Sequence, residues 1–354
     1  MSDSLPSGAK PFQFTGNAKE WFGIWIVNLL LSIVTLGVYS AWAKVRTKKY
    51  FHNHTYIEGR NFDYHATGKQ IFIGRLIVIV AVVVLQVLTT ISPIIGIVLL
   101  LGLLVAYPWL IVRSLAFNAR MTSFSNVRFG FVGSVGQAFL VFLVYPLLMA
   151  LTLYTTFPIW DRALKRFSIN NHKLGQAKFS MEVGLGPFYK ALLVAIAWIV
   201  VVGLVGVSLT GFNFTEFAYA MDSLENGSTQ GAPMIALFYV LFFVAFLPAT
   251  FLYQALTRNA VYNNTSLEGG HKFVSNVTAP ALLWLAVSNM VVVIFTLFLM
   301  LPWAQVRMAR YLADHTGFIP GGSMDDFVTQ QQKAGGAMGD AFTDLEGIDV
   351  GLPI

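Results

Sequence analysis

No cysteine occurs among the 354 residues, and only 11% of them are charged. The first absence excludes a disulfide framework, a thiolate nucleophile and any Cys-based metal site. The second leaves less than half of the about 25% that a soluble domain carries. No Asp or Glu falls inside a long apolar run. That argues against a buried carboxylate for proton or sodium coupling. Enzyme signatures are missing too: there is no HExxH, no G-x-S-x-G and no Walker loop. The sequence therefore reads as a protein that is not an enzyme and uses no cofactor.

What is present is apolar. Hydrophobic residues make up 56% of the chain and the mean hydropathy is +0.66. With several apolar runs near 20 residues, this implies a polytopic membrane protein. The pI of 9.4 is read in that light. The basic residues sit beside apolar segments, where they orient the chain and meet anionic phospholipid headgroups, not nucleic acid. The N-terminal "MSDSLPSGAKPFQFTGNAKEW" has no basic region followed by an apolar stretch. The expectation is no cleaved signal, with the first apolar segment acting as insertion signal.

Seven apolar segments follow: Trp21–Ala43, Ile71–Ile91, Pro93–Val112, Gly136–Trp160, Pro187–Gly211, Pro233–Leu256 and Pro280–Ala304. Each is long enough to cross a ~30 Å hydrocarbon layer as helix. "TTISPI" joins the second to the third as a tight hairpin. Before five of these segments lies an opening Phe, followed in four of them by a glycine. Phe12-Gln-Phe14 leads to Gly16, Phe62-Asp-Tyr64 to Gly68, Phe129-Gly-Phe131 to Gly133, Phe179-Ser-Met181 to Gly184, and Phe273 opens the last more loosely. Five units result, approximately 12–61, 62–128, 129–178, 179–272 and 273–316. The first, third and fifth hold one apolar segment and the others hold two. The linkers alternate polar and apolar residues around turns such as Glu58-Gly59-Arg60-Asn61, which predicts short β-hairpins outside the bilayer. The expected fold is mainly α, a single repeat-built transmembrane domain over 1–316. The Gly- and Asp-rich segment 317–354 is expected to be a disordered acidic tail.

The units also end alike. "YSAWAKVRTKKY", "YPWLIVRSLAF" and "LPWAQVRMARY" place Trp42, Trp109 and Trp303 ahead of Arg46, Arg113 and Arg307. Trp favours the membrane interface and Arg the water beyond it, so these six read as interface anchors. A headgroup site is the alternative. The linkers 44–70, 113–135, 161–190 and 257–279 hold six, three, six and two Lys plus Arg, whereas the hairpin turns hold none. The positive-inside rule would put every such linker in the cytoplasm. The short units then pose a conflict. Single crossings would give seven spans and an inverted second half. Keeping all linkers on one side makes the short units re-entrant. Five matching Phe-x-Phe strands favour the second plan.

Three polar residues share one register inside the short units. Asn28, Tyr145 and Asn289 each lie sixteen residues after the opening Phe. They read either as interhelical glue or as a shared site for a substrate. Arg75, about one turn inside the second segment, either snorkels to the headgroups or binds an anionic substrate. The six His lie on linkers or the tail, and His52-Asn53-His54 lacks the further ligands that a metal site needs.

The run "FTGNAKEWFGIWIVNLLLSIVTLGVYSAWAKVRTKKYF", with "NFDYHATG" and "GRL" after it, resembles the YjgN-like family of bacterial inner-membrane proteins. The resemblance extends from Phe12 to about Tyr311 and includes "VRFGFVGS" and "LPWAQVR". It implies a multi-pass protein of the bacterial inner membrane and supplies no binding or catalytic residue. The function expected is binding or transport of a small molecule, ion or lipid. The alternative is a scaffold or regulator whose basic loops bind anionic lipid or an unknown protein partner.

Overall fold

The computed structural model describes residues 5–343, with side chains as far as residue 334. The chain forms two compact units. The first takes in the described residues up to Glu182, Val261–Asn276 and those from Met290 onward. The second comprises Val183–Ala260 and Val277–Asn289.

The elements run as follows. β1 (Lys10–Pro11) and β2 (Gln13–Phe14) precede α1 (Ala18–Val34), α2 (Ser40–Asn53), β3 (Thr55–Ile57) and β4 (Arg60–Tyr64). α3 (Gly68–Ile91) and α4 (Pro93–Met121) lead to β5 (Thr122–Phe124) and β6 (Val127–Phe131). α5 (Val135–Phe139), a π-helical turn (Leu140–Val144), α6 (Tyr145–Leu151) and α7 (Phe157–Asn170) lead to β7 (His172–Leu174) and β8 (Ala177–Met181). α8 (Gly186–Thr210), α9 (Phe214–Glu225) and α10 (Ala232–Tyr262) lead to β9 (Thr265–Leu267) and β10 (His271–Ser275). α11 (Ala279–Phe295), α12 (Leu301–Asp314), β11 (Thr316–Ile319) and α13 (Met324–Thr343) complete the described chain.

The expectation of a mainly helical fold with separate hairpin linkers is overturned. All eleven strands form one antiparallel sheet in the first unit, in the order β1-β11-β10-β9-β8-β7-β6-β5-β4-β3-β2. Its two ends meet in the chain. β1 pairs with β11 and β2 pairs with β3, and only Phe12 separates β1 from β2. The Phe12 amide donates to the Thr316 carbonyl at 2.9 Å. Residues 10–14 thus bridge the two ends of the sheet and nearly close a small barrel, which leaves little of the edge that an open sheet exposes. The hairpins themselves form locally. Glu58 and Gly59, like Ser125 and Asn126, have positive φ at both central positions, as a tight type I′ turn requires. Pairing between hairpins, as in Phe62 opposite Phe124, is long-range.

Shared pairing also bears on the membrane plan. Linkers that belong to one sheet lie together, the arrangement that re-entrant short units require. The short units do fold back. α1 stops at Val34, and Leu36 and Gly37 take φ of 49° and 89°. Leu153 with Tyr154, and Leu297 with Phe298, do the same. The Gly37, Tyr154 and Phe298 amides donate to the carbonyls of Ser32, Met149 and Val293, the six-to-one bond that ends a helix in a left-handed cap. Thr35, Thr152 and Thr296 stand at each reversal. Their hydroxyls donate at 2.7 Å to the carbonyl four residues back. The seven apolar segments read from the sequence are therefore four long helices and three broken ones. α3, α4, α8 and α10 are the helices long and apolar enough to cross a membrane among the described residues. The reversals expose bare apolar tips: Leu36 is 95% exposed and Leu153 86%.

Local chemistry sets the helix starts. Asn17 caps α1 by accepting from the Lys19 amide at 2.8 Å. Thr67 and Gln70 form a capping box on α3. Gly16 admits the Phe14 ring, which a Cβ would meet at 2.4 Å. In the second unit, the α8 glycine Gly206 faces Leu241 of α10, whose Cδ2 a Cβ would meet at 2.6 Å, whereas among the described residues nothing approaches Gly203. Close packing thus explains one of these two glycines.

Candidate functional site: an apolar barrel cavity under a helical plug

Antiparallel strands alternate sides with period two, so each opening Phe points into the barrel while its neighbours point out. Phe12, Phe62, Phe129, Phe179 and Phe273 pack against one buried cluster that includes Ile57, Phe124, Leu174 and Leu267. The five rings form an arc. Centroid distances are 6.4 Å for Phe12–Phe62, 6.3 Å for Phe62–Phe129, 6.2 Å for Phe129–Phe179 and 6.0 Å for Phe179–Phe273. The first three pairs lie within 17° of parallel, the stacked geometry that aromatic quadrupoles allow. The arc does not fill the barrel. A cavity of about 320 Å³ remains among these rings. Its polar lining is sparse: Ser168, His172, Tyr262 and Thr265, all near the helix–strand junctions. Among the described residues, no carboxylate or ammonium group lines it. It is at the small end of ligand pockets, which run from about 300 to 1,000 Å³.

The opposite end of the barrel carries the hairpin turns, and α13 covers it. Met324, Phe327, Val328 and Gln331 are buried, a spacing of i, i+3, i+4 and i+7 that puts them on one face. Met324 and Phe327 line the cavity. The helix is tied to every hairpin turn. Asp325 pairs with Arg60 beside the first turn. Gln332 donates to the Ser125 carbonyl at 2.9 Å in the second. Gln331 accepts from the Gln176 amide at 2.8 Å in the third. At the fourth, the His271 ring lies edge-on to Phe327 at 4.5 Å and stacks on Phe318 at 5.3 Å. His271 Nδ1 accepts from the Gly321 amide at 3.0 Å, which fixes the proton of the neutral ring on Nε2. Burial lowers the pKa of His271 below its ordinary value. The expectation of a disordered tail from 317 is thus corrected. β11 and α13 are ordered because their apolar face finds the barrel; residues 344–354 lie outside the described residues.

A profile described as "Bacterial protein of unknown function (DUF898)" matches residues 9–345. The chain belongs to that family. The inner membrane protein YjgN of Salmonella typhimurium is 29% identical over 346 residues, covering 86% of this chain and 87% of the relative. The YjgN proteins of Escherichia coli O157:H7 and K12 are 30% and 29% identical over 221 residues, covering 62% of this chain and 50% of each relative. No solved structure matches. Together with its four membrane-length helices, this likeness places the DUF898 chain in the bacterial inner membrane as a multi-pass protein.

The candidate binding and anchor residues named from the sequence of this DUF898 protein lie in several places, none of them in the lining of the barrel cavity. Asn28 is buried in α1 and its Oδ1 accepts from Arg46 at 3.5 Å; among the described residues its Nδ2 has no hydrogen-bond partner. Tyr145 packs beside Val141 and Phe167 on another helical hairpin. Asn289 is buried in the second unit. Arg75 donates to the Ser40 hydroxyl at 2.5 Å, tying α3 to the start of α2. Arg113 and Arg307 lie over the rings of Trp109 and Trp303, at 5.5 and 5.2 Å. Arg46 lies over Tyr39 instead, at 5.8 Å. Trp42 packs on the α3 start, where a Cβ on Gly68 would meet its ring at 2.3 Å. His52 and His54 turn Nδ1 to the Lys48 and Tyr50 carbonyls, and among the described residues no metal-binding group of three or more forms.

Two features escaped the sequence reading. The Thr-Leu pair at 35–36, 152–153 and 296–297 marks each reversal and sits twenty-three residues after Phe12, Phe129 and Phe273. The spacing is visible in sequence once the three units are aligned. The α13 stripe is visible too, at helical spacing, but Gly and Asp around it dominate the composition.

Proposed function

We propose that this DUF898 protein is a non-enzymatic membrane protein that takes a small apolar molecule or a single acyl chain from the bilayer into its barrel. The observation that carries the reading is the cavity walled by five Phe rings, with no charged group in its lining. Such a surface gains about 25 cal/mol for each Å² of apolar ligand area removed from water. It offers nothing to an ion. The cavity reaches from the junctions of α7 and α10 with their strands to the underside of α13, so a ligand entering at the helix end would stop beneath the plug. We read the five Phe-bearing segments as copies of one helix-and-hairpin element, closed into a ring by the last strand. Excess Lys and Arg on the ring side supports a cytoplasmic barrel against anionic headgroups.

The test uses purified full-length protein in detergent and dansyl-undecanoic acid, whose emission rises in apolar surroundings. Saturable binding at one probe per chain is expected. Leu174→Phe and Leu267→Phe fill the cavity from two sides and are expected to weaken binding at least about tenfold. Equal binding by both filled variants, with their thermal unfolding intact, would remove the reading.

A further inference from the structure

A second cleft lies outside the barrel, in the same unit. It measures about 490 Å³ and is bounded by α2, α3 and α4. Lys44 enters it from α2, Arg75, Val78 and Ile79 from α3, and Phe117 and Asn118 from α4. Tyr64 of β4 also lines it. Lys48 braces this end of the cleft: its Nζ donates to Asn118 Oδ1 at 2.5 Å and lies 4.6 Å from the centre of the Tyr64 ring. No carboxylate is among the lining residues. Among the described residues, neither Lys44 nor Arg75 has a carboxylate partner. Arg75 gives one N–H to Ser40, which orients the guanidinium and leaves the rest of its donors for another acceptor.

The two halves of this cleft want different things. Lys44 and Arg75 are the two cations of the lining, a combination suited to a phosphate, which a guanidinium fork recognises bidentately. Val78 and Ile79 are 57% and 58% exposed on a helix of membrane length and apolarity, so hydrocarbon covers them. Arg75 stands seven residues into α3, about 10 Å along its axis, where charge and hydrocarbon meet. A free phosphate would satisfy only the first half, and a neutral lipid tail only the second.

We propose that this cleft binds an anionic phospholipid, its phosphate between Lys44 and Arg75 and an acyl chain along Val78, Ile79 and Phe117. The site is independent of the barrel cavity, and loss of fatty-acid binding there leaves it untouched. The lipid would hold α2, the returning arm of the first re-entrant hairpin, against the first spanning pair.

The experiment uses the full chain in dodecyl maltoside. Native mass spectrometry reads lipid retention, and thermal unfolding reads stabilisation, with phosphatidylglycerol, phosphatidylcholine or sodium phosphate added. Phosphatidylglycerol is expected to be retained and to raise the unfolding midpoint, while the other two do neither. Lys44→Gln and Arg75→Gln should each weaken retention about tenfold or more, since a hydrogen bond to a charged group is lost. Arg75→Lys should keep part of it, and Lys178→Gln, outside the cleft, all of it. Because Lys44 is exposed, Lys44→Gln leaves the fold intact and decides the matter even if Arg75→Gln does not fold. Unchanged retention in Lys44→Gln, equal retention of phosphatidylcholine, or full stabilisation by phosphate alone would overturn the proposal.

Discussion

The ring of Phe62 stacks on that of Phe129, 6.3 Å between centroids and 17° from parallel, although the whole α3–α4 hairpin lies between them in the chain. Neither residue is informative alone. Their contact exists because β4 pairs with β5 and β5 pairs with β6, so that both opening Phe residues are delivered to one interior.

Replacing Phe129 by Ala removes a ring that touches two others. A loss of about 3 kcal/mol is expected, at the low end for a buried Phe because this one is half-buried. Phe129→Leu should recover most of it. Thermal unfolding in detergent measures both, and equal stability of the Ala variant and the parent protein would show that the ring does not bear on the core.

Access to the cavity from the plug end should depend on α13. The chain contains no Cys, so Phe273→Cys supplies a single thiol inside the barrel. A water-soluble maleimide is expected to label it slowly in the full chain and many-fold faster when residues 324–354 are removed. Equal rates would mean that α13 does not close the barrel.

Acid should loosen the same plug. His271 has a folded pKa below its ordinary value of about 6.5 because it is buried. A depressed base binds fewer protons in the folded than in the unfolded state, so stability rises with pH. The contribution is complete above about pH 6.5 and is lost as pH falls toward the folded value. Glu58 opposes the shift by favouring the charged ring. Protonation puts a hydrogen on Nδ1, which then cannot accept from Gly321. Labelling at Phe273→Cys, expressed at each pH relative to the same thiol in the chain lacking residues 324–354 so that the falling thiolate fraction cancels, should therefore quicken between pH 7 and pH 5. His271→Gln should flatten that dependence, and a pH profile identical to the parent's would refute the assignment.

Each helical reversal should depend on its threonine. Thr35 accepts from the Tyr39 amide at 2.9 Å while donating to Leu31. Thr296 accepts from Met300 in the same way at 3.2 Å. Thr→Val keeps the shape and removes both bonds, at a cost of about 1 kcal/mol per site. The three changes lie on separate hairpins and should add. A triple variant as stable as the parent in thermal unfolding would contradict this.

Topology reporters fused after residues 59, 126, 176 and 269 should all report the same side, and one fused after residue 226 the other. A split among the first four would be incompatible with a closed ring.

The sequence by itself determined what is local. Composition set the membrane environment. The period of the Phe-bearing units, the turn at Glu58–Gly59 and the capping residues Asn17 and Thr67 each follow from a few neighbouring side chains. The anchor pairs Trp109–Arg113 and Trp303–Arg307 could be read for the same reason, since residues four apart on a helix touch. Tertiary structure decided the rest. Hairpins alone do not say whether they remain apart or pair, because the β4–β5 contact depends on where a long helical hairpin returns. Closure by residues 10–14 requires β11, from a segment whose Gly and Asp content suggested no structure. Once the barrel exists, its open end offers an apolar rim, and Met324, Phe327 and Val328 order upon it. The in-register Asn28, Tyr145 and Asn289 show the same limit: shared register fixes depth along a helix, while only packing fixes which neighbour each side chain meets.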